Sequence, residues 1–477
     1  MSFKNMFNQL FSYTPTKDYE FRLPNSVQVK SNQETNENVF SNTKKVDIFP
    51  SLSVNREYIT SKYSLLINSD IVLREFTLNA RGKQYNAFII YIDGMADSQI
   101  IDDFILKPLM LRNKNNLYDG SQNKVISEAV ANNITVRKVK KFDLSNYLMG
   151  CLMPQNDIQE VSDFDAVSKG VNSGNCVLFV DTLSLAFDID VKGFKQRSID
   201  SPKNEIIIKG SHESFVENIR TNTSILRRIV NNENLIIENI DVGNLSKTKC
   251  GVCYLKDIAN SSLVAEVKYR LNNLEIDSLI SSGQLEQLIE KSNSFGIPQI
   301  LSTERPDKCS KSLYDGKVII LINGNPYALI LPSTFVDFIS SPEDTNLKPQ
   351  FANSLKFIRL FAMFITLLLP SLWIAITNFH QELIPTELLF SIVASRENVP
   401  FPVIFEVLLM EISFELIRES SLRVPSPVGS TIGIVGALVL GDAAVSAGIV
   451  SPILIIVIAI TGIASFAIPD FSFGFHI

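Results

Sequence analysis

Hydrophobic positions divide this chain near residue 350. Before it, short apolar runs alternate with polar stretches; after it, long apolar segments dominate. Residues 87–92 (Ala-Phe-Ile-Ile-Tyr-Ile) form a continuous apolar run stopped by Asp93-Gly94, the pattern of a buried strand ending in a turn. Residues 59–66 and 100–111 repeat apolar positions at helical spacing, so 54–120 reads as a first soluble α/β subdomain. A stretch rich in Asn and Lys, 112–133, separates it from a second, longer α/β subdomain at 134–345. There, 176–180 and 185–187 read as paired strands, and 235–237, 251–255, 318–322 and 327–331 as further strands. Helical patterns fall at 215–230, 261–271 and 278–289. Asn323-Gly324 between two apolar runs signals a hairpin. Strands mixed with helices, some joined by hairpins, predict an α/β (α+β) region of two subdomains rather than a simple doubly wound sheet. Ahead of it, residues 1–53 read as a disordered polar arm, because 18–45 is dominated by Asn, Gln, Ser and Thr; order is expected from about Val54.

Beyond a polar hinge at 340–348 the pattern predicts an all-α integral membrane domain, 350–477. Residues 355–377 carry only Lys356 and Arg359, both near the start, and are long enough to cross a hydrocarbon core of about 30 Å. Lys348, Lys356 and Arg359 place the positive charge on the N-terminal side, which the positive-inside rule makes cytoplasmic. The loop with Glu382, Glu387, Arg396 and Glu397 is then expected to face outward, with 388–393 as a short amphipathic turn on the surface. Residues 402–417 are apolar except for Glu406, Glu411 and Glu415, and are short for a full span. Residues 428–440 are shorter still and carry Gly429, Gly433 and Gly436; 447–468 is the last clear span, interrupted at Ser451-Pro452.

Charge follows the same division. Of 44 basic and 50 acidic residues, five and nine lie beyond residue 350, which leaves the first part nearly neutral, without the basic footprint of nucleic-acid binding. The first residues lack the apolar core of a secretory signal, so the soluble part is expected to stay in the cytosol. Five cysteines without framework spacing fit a reducing compartment.

Candidate chemistry is concentrated in the apolar part. Carboxylates at bilayer depth are costly, about 2–3 kcal/mol each at a lipid-facing centre, so Glu406, Glu411 and Glu415 are candidates for a pore or a subunit contact. Glu411 and Glu415 share one helical face. Gly429 and Gly433 form a small-xxx-small pair suited to close helix packing, with a gate as the sharper reading. His380, beside Gln381 and Glu382 at the end of the first span, is a further candidate beside a plain interfacial hydrogen bond. In the soluble part, Glu213, Glu217 and Arg220 would share a helix face, either as a solvated ladder or as a polar contact between subdomains or subunits. Cys250-Gly-Val-Cys253 lies in an expected strand, where positions three apart point to opposite faces, and reads as structural. The histidines show no zinc-ligand spacing, and no nucleophile elbow, P-loop or HExxH occurs, so an enzyme is not expected, nor any cofactor.

A set of motifs brings a family into view: Gly210 through Glu217 to Arg220-Thr221-Asn222-Thr223; Ser302-Thr303-Glu304-Arg305-Pro306-Asp307; Ser341-Pro342-Glu343-Asp344; Phe379-His380-Gln381-Glu382-Leu383-Ile384-Pro385-Thr386; Pro400-Phe401-Pro402; and, near the end, Thr431 to Gly436 and Gly448 to Pro452. From about 134 to 470 the chain resembles the A subunit of the GerA-type nutrient germinant receptors of endospore-forming bacteria. The resemblance implies a spore inner-membrane receptor subunit with a cytosolic N-terminal region. It would work with a transporter-like B subunit and a lipoprotein C subunit, form homo-oligomers and provide an ion-release path. Family members continue past the Pro469-Asp470 position with more hydrophobic helix, whereas this chain ends seven residues later, so the expectation is a C-terminally truncated membrane domain. The competing readings are a secondary transporter subunit and a non-conducting scaffold for partner subunits.

Overall fold

The computed structural model describes residues 46–80, 83–111, 143–193, 202, 204–290, 298–423, 441–470 and 473–474. The first sheet contains five strands, β1 (Ile71–Ala80), β2 (Lys83–Ile92), β3 (Ile158–Val161), β4 (Cys176–Val180) and β5 (Ala186–Ile189), in the order β1-β2-β4-β5-β3. Every neighbouring pair is antiparallel. Side chains alternate across a strand. Thus Ile89 and Leu178 face one layer with Ile105 and Leu148, while Phe88, Ile90 and Phe179 face the other. That second layer is built by helices α1 (Leu52–Lys62), through Ile59, and α2 (Phe164–Asn172), through Phe164 and Val167. Burial on both faces explains why β2 and β4 read as unbroken apolar runs.

The second sheet follows the same plan. Its strands are β6 (Leu235–Val242), β7 (Thr248–Leu255), β8 (Leu301–Thr303), β9 (Val318–Ile322) and β10 (Ala328–Leu331), ordered β6-β7-β9-β10-β8, again antiparallel. Helices α4 (Ser261–Asn272) and α5 (Ser282–Ile289) cover one face. Helices α3 (Ile219–Val230), α6 (Pro306–Tyr314) and α7 (Phe335–Ile339) cover the other. The expected hairpin joins β9 to β10, with Gly324 at φ +89°, the left-handed region that glycine enters at no steric cost.

The two sheets divide the chain elsewhere than the sequence reading did. The predicted boundary at 120–134 does not separate them, because β3, β4 and β5 join β1 and β2 in one sheet. Order also starts earlier than Val54: Ile48 is buried in the first core, and its N–H donates to the Ser162 carbonyl at 2.9 Å. Residues 1–45 and the 112–133 linker lie outside the described residues.

The C-terminal part is helical. Helix α8 (Pro349–Phe379) contains the expected 355–377 span and is the one helix, among the described residues, long and apolar enough to cross a membrane. A short helix α9 (Thr386–Arg396) follows, then α10 (Val403–Arg423) and α11 (Pro452–Phe466). Two expectations change. Helix α10 has 21 residues instead of the predicted sixteen, since it runs on past 417 through the mostly polar residues from Arg418 to Arg423. Pro452 starts α11 rather than interrupting a longer span, because a proline in the first turn has no intrahelical N–H to lose.

Helix direction follows from what each end touches. The start of α8 is tied to the hinge, since Arg359 donates to Asp344 at 2.7 Å. The starts of α10 and α11 meet at the distal end, where the Ser451 N–H donates to Glu406 at 3.0 Å. Their other ends return to the soluble part. Arg418, Phe466 and Ile468 line a cavity of about 470 Å³ together with Glu205, Ile207 and Ser341. Ile468 and Phe473 pack into the core of the second sheet, and the Phe473 ring stacks on Phe338 at 5.3 Å. Helix α8 therefore leaves the soluble part, and α10 and α11 come back to it.

Candidate functional site

Two clusters of charged groups govern how the helical and soluble parts are held. The first lies at the distal end. Glu406 is buried, 2% exposed, in α10, whose Val403, Val407 and Met410 pack with Leu454 of α11. Its Oε1 accepts from Arg396 Nη2 at 3.0 Å and Nε at 3.3 Å, and its Oε2 accepts from the Ser451 backbone N–H at 3.0 Å. The carboxylate thus joins the last turn of α9 to the N-terminus of α11, where the positive end of the helix dipole also favours it. Both Glu406 oxygens thus have partners within the chain. Arg396, expected on an outward loop, is one of them.

The other carboxylates differ. Glu415 is exposed and pairs with Arg418 at 2.7 Å, one turn along the helix. Glu411 is half-buried, and its Oε1 is shielded from solvent with no hydrogen-bond partner among the described residues. Buried polar atoms normally have partners, which sets this oxygen apart from those of Glu406. His380 is exposed and ends α8; its backbone N–H donates to the Ala375 and Ile376 carbonyls at 3.2 and 3.3 Å. Gly429, Gly433 and Gly436 lie outside the described residues.

The second cluster is the hinge. Ser341 caps the short turn 342–345, and Asp344 reaches back to accept from the Ser341 N–H at 3.0 Å. The same Asp344 oxygen holds Arg359, which also donates to the Ile339 carbonyl at 3.3 Å. Asp344 has 5% of its side chain exposed and Arg359 14%, so the pair is screened from water and fixes the first turns of α8 to the soluble part.

The predicted soluble-part contact comes out differently. Glu213 and Glu217 precede α3, which starts at Ile219, so the three residues do not share a helix face. The loop before the helix is held by Asn222, which accepts from the Val216 N–H and donates to its carbonyl, so the apolar pattern from 215 began too early. Glu213 pairs with Arg228, and Arg220 pairs with Asp93 at the end of β2. Arg220 alone of the three thus links the two sheets. The stronger link was not evident from the sequence: Arg227 of α3 grips Asp70 at 2.7 and 2.8 Å and Asn68 at 3.0 Å, all buried. Cys250 and Cys253 face opposite cores, and burial pushes the Cys250 thiol up to about 12, which keeps it protonated and inert. Among the described residues no group of His, Cys, Asp or Glu is arranged to hold a metal ion.

With this geometry in place, comparison with known proteins decides the family. Residues 57–477 match the family described as Bacillus/Clostridium GerA spore germination protein. The chain belongs to the GerA family. It is 36% identical to spore germination protein KA of Bacillus subtilis (strain 168) over 425 residues, 89% of this chain and 73% of that protein. It is 34% identical to the uncharacterised membrane protein YfkQ of the same organism over 432 residues, 90% of this chain and 78% of that one. Among solved structures it is similar to the N-terminal domain of the A subunit of the Bacillus megaterium spore germinant receptor GerK3, at 29% identity and a TM-score of 0.42, over 61% of this chain and 98% of that one.

Proposed function

We propose that this GerA-family chain is a receptor subunit that, with B (transporter-like) and C (lipoprotein) partner subunits, responds to nutrient germinants and forms the ion-release path as a homo-oligomer in the spore inner membrane. In this reading the soluble part is cytosolic and the chain catalyses no reaction. Family membership supports the germination role, and the length and apolar surface of α8 support the membrane location. Helices α8 and α10 turn large side chains outward, Phe361 and Leu367 on one, Phe405 and Ile412 on the other, all more than half exposed on the single chain. Such a surface needs lipid or further subunits to cover it.

The observation that carries the conduction reading is Glu411. Its oxygen on α10, shielded and without a partner among the described residues, supports a contact with water or a neighbouring subunit, as expected of a carboxylate beside an ion path. Glu406 supports the reading less, because Arg396 already pairs with it. The test is release of monovalent cations from spores after nutrient addition. Glu411→Gln combined with Glu415→Gln should slow release at a normal protein level. Release at the wild-type rate would contradict the reading.

A further inference from the structure

One exposed apolar feature lies outside the helices. In the loop 204–211, Ile207 is buried, 4% exposed, while Ile206 and Ile208 on either side are 77% and 83% exposed. Isolated exposed isoleucines on a floppy loop would mean little. This loop is instead clamped from several sides. Glu304 accepts from the Asn204 and Glu205 N–H groups at 2.6 and 3.0 Å. Arg305, whose side chain is fully buried, donates to the Glu205 carbonyl at 3.0 Å and to the Ser211 carbonyl at 2.7 Å, and Asp307 holds its guanidinium on the other side at 2.7 Å. Asn346 of the hinge donates to the Lys209 carbonyl at 2.6 Å. Residues 304–307 therefore act as a bracket that fixes the loop and leaves two isoleucines pointing outward.

The position of the loop says what those isoleucines meet. Ile206 and Ile207 share a cavity wall with Arg418 of α10 and Phe466 at the end of α11. These are the ends of the helices that, under the membrane reading proposed above, enter the bilayer. Lys209, next in the chain, is exposed and would stand at the level of anionic headgroups.

We infer that residues 206–208 form an interfacial anchor, with Ile206 and Ile208 inserted at the boundary between headgroups and acyl chains of the bilayer that holds α8, α10 and α11. The anchor gives the soluble part a third attachment to the membrane, beside the hinge and the returning C-terminal segment. Lipid is favoured over a second copy of the chain because the loop adjoins the near ends of the helices themselves and offers two apolar side chains with one cation, the pattern of an interfacial segment. The inference rests on the membrane reading, and the experiment separates the two.

The chain has a single tryptophan, Trp373 in α8. The full chain is reconstituted in vesicles of phosphatidylcholine and phosphatidylglycerol, with or without bromine on the upper acyl carbons. Quenching of native Trp373 by the brominated lipid checks that the helices are inserted; its absence would sink the membrane reading itself. Ile208→Trp and, separately, Ile206→Trp are then made in a Trp373→Phe background. Either variant that folds should give blue-shifted emission, roughly twofold quenching by brominated lipid and protection from aqueous iodide. Emission quenched by iodide but not by lipid overturns the anchor. Emission shielded from both, the signature of a protein surface, overturns it equally.

Discussion

Arg227 grips Asp70 through two charge-assisted hydrogen bonds, 2.7 and 2.8 Å long, at the seam where the second sheet meets the first. Both side chains are nearly dry, 2% and 10% exposed, and Asn68 completes the arrangement by accepting from Arg227 and from the Ile237 N–H. The Ser69 N–H adds a 2.9 Å bond to the Ile237 carbonyl, so this segment lies along β6 as a backbone splice between the two halves. The soluble part is therefore tied together by buried polar geometry as well as by apolar packing.

Breaking that seam should be costly. Removing one partner strands a buried charge, so Arg227→Ala should destabilise the detergent-purified chain by about 3–5 kcal/mol. Arg227→Lys should recover little, since a lysine cannot make the two-pronged contact. Thermal unfolding followed by circular dichroism checks both.

Glu286 on α5 predicts a pH dependence. Burial, then the nearby Glu290 and Asp470 carboxylates, raise its pKa from 4.5 to about 7. The folded state therefore holds this proton where the unfolded state has lost it, so stability is full below pH 4.5, falls as pH rises to about 7, and levels off above. Glu286→Gln should leave stability unchanged at pH 4 and raise it at pH 8 by roughly 1 kcal/mol after allowing for solvent screening. Melting curves at the two pH values measure the difference.

The distal pair predicts energetic coupling. Arg396→Met or Glu406→Met alone should lower the thermal midpoint, each costing about 3 kcal/mol, because each leaves its partner unpaired. The double substitution should cost less than the sum of the two, with an interaction energy of about 1–3 kcal/mol. Additive losses would show that the pair does not act as a unit.

The hinge pair predicts a functional defect without unfolding. In Asp344→Asn the amide oxygen still accepts from the Ser341 N–H, so the cap survives, but the charge that holds Arg359 is gone. Under the proposed ion-release role, nutrient-triggered cation release should slow severalfold while the amount of protein in the membrane stays normal. Spore potassium measurements together with immunoblots distinguish this from simple loss of the protein.

Much of this architecture was legible in the sequence, and the omissions have physical causes. Strands β2, β4, β7 and β9 stood out because both faces are buried and the apolar run is unbroken. β1 did not, because it is an edge strand whose apolar run is broken by exposed Arg74 and Glu75, one on each face, and β8 has only three residues. The division into sheets was misplaced because β2 pairs with β4 across a long insertion, and local periodicity says nothing about distant pairing. The candidate site was legible as a set of costly carboxylates, but their roles depended on partners far away in sequence. Glu406 and Glu411 are alike in sequence context, and only Arg396 and the Ser451 N–H, distant in the chain, set Glu406 apart.

The most direct test of the whole account is whether the helical part is held in lipid. Membranes from cells producing the full chain are washed at alkaline pH and sedimented without detergent. The account predicts that the chain stays in the pellet and leaves it only when detergent is added. Recovery of the chain as a dissolved, folded protein in the supernatant would contradict it.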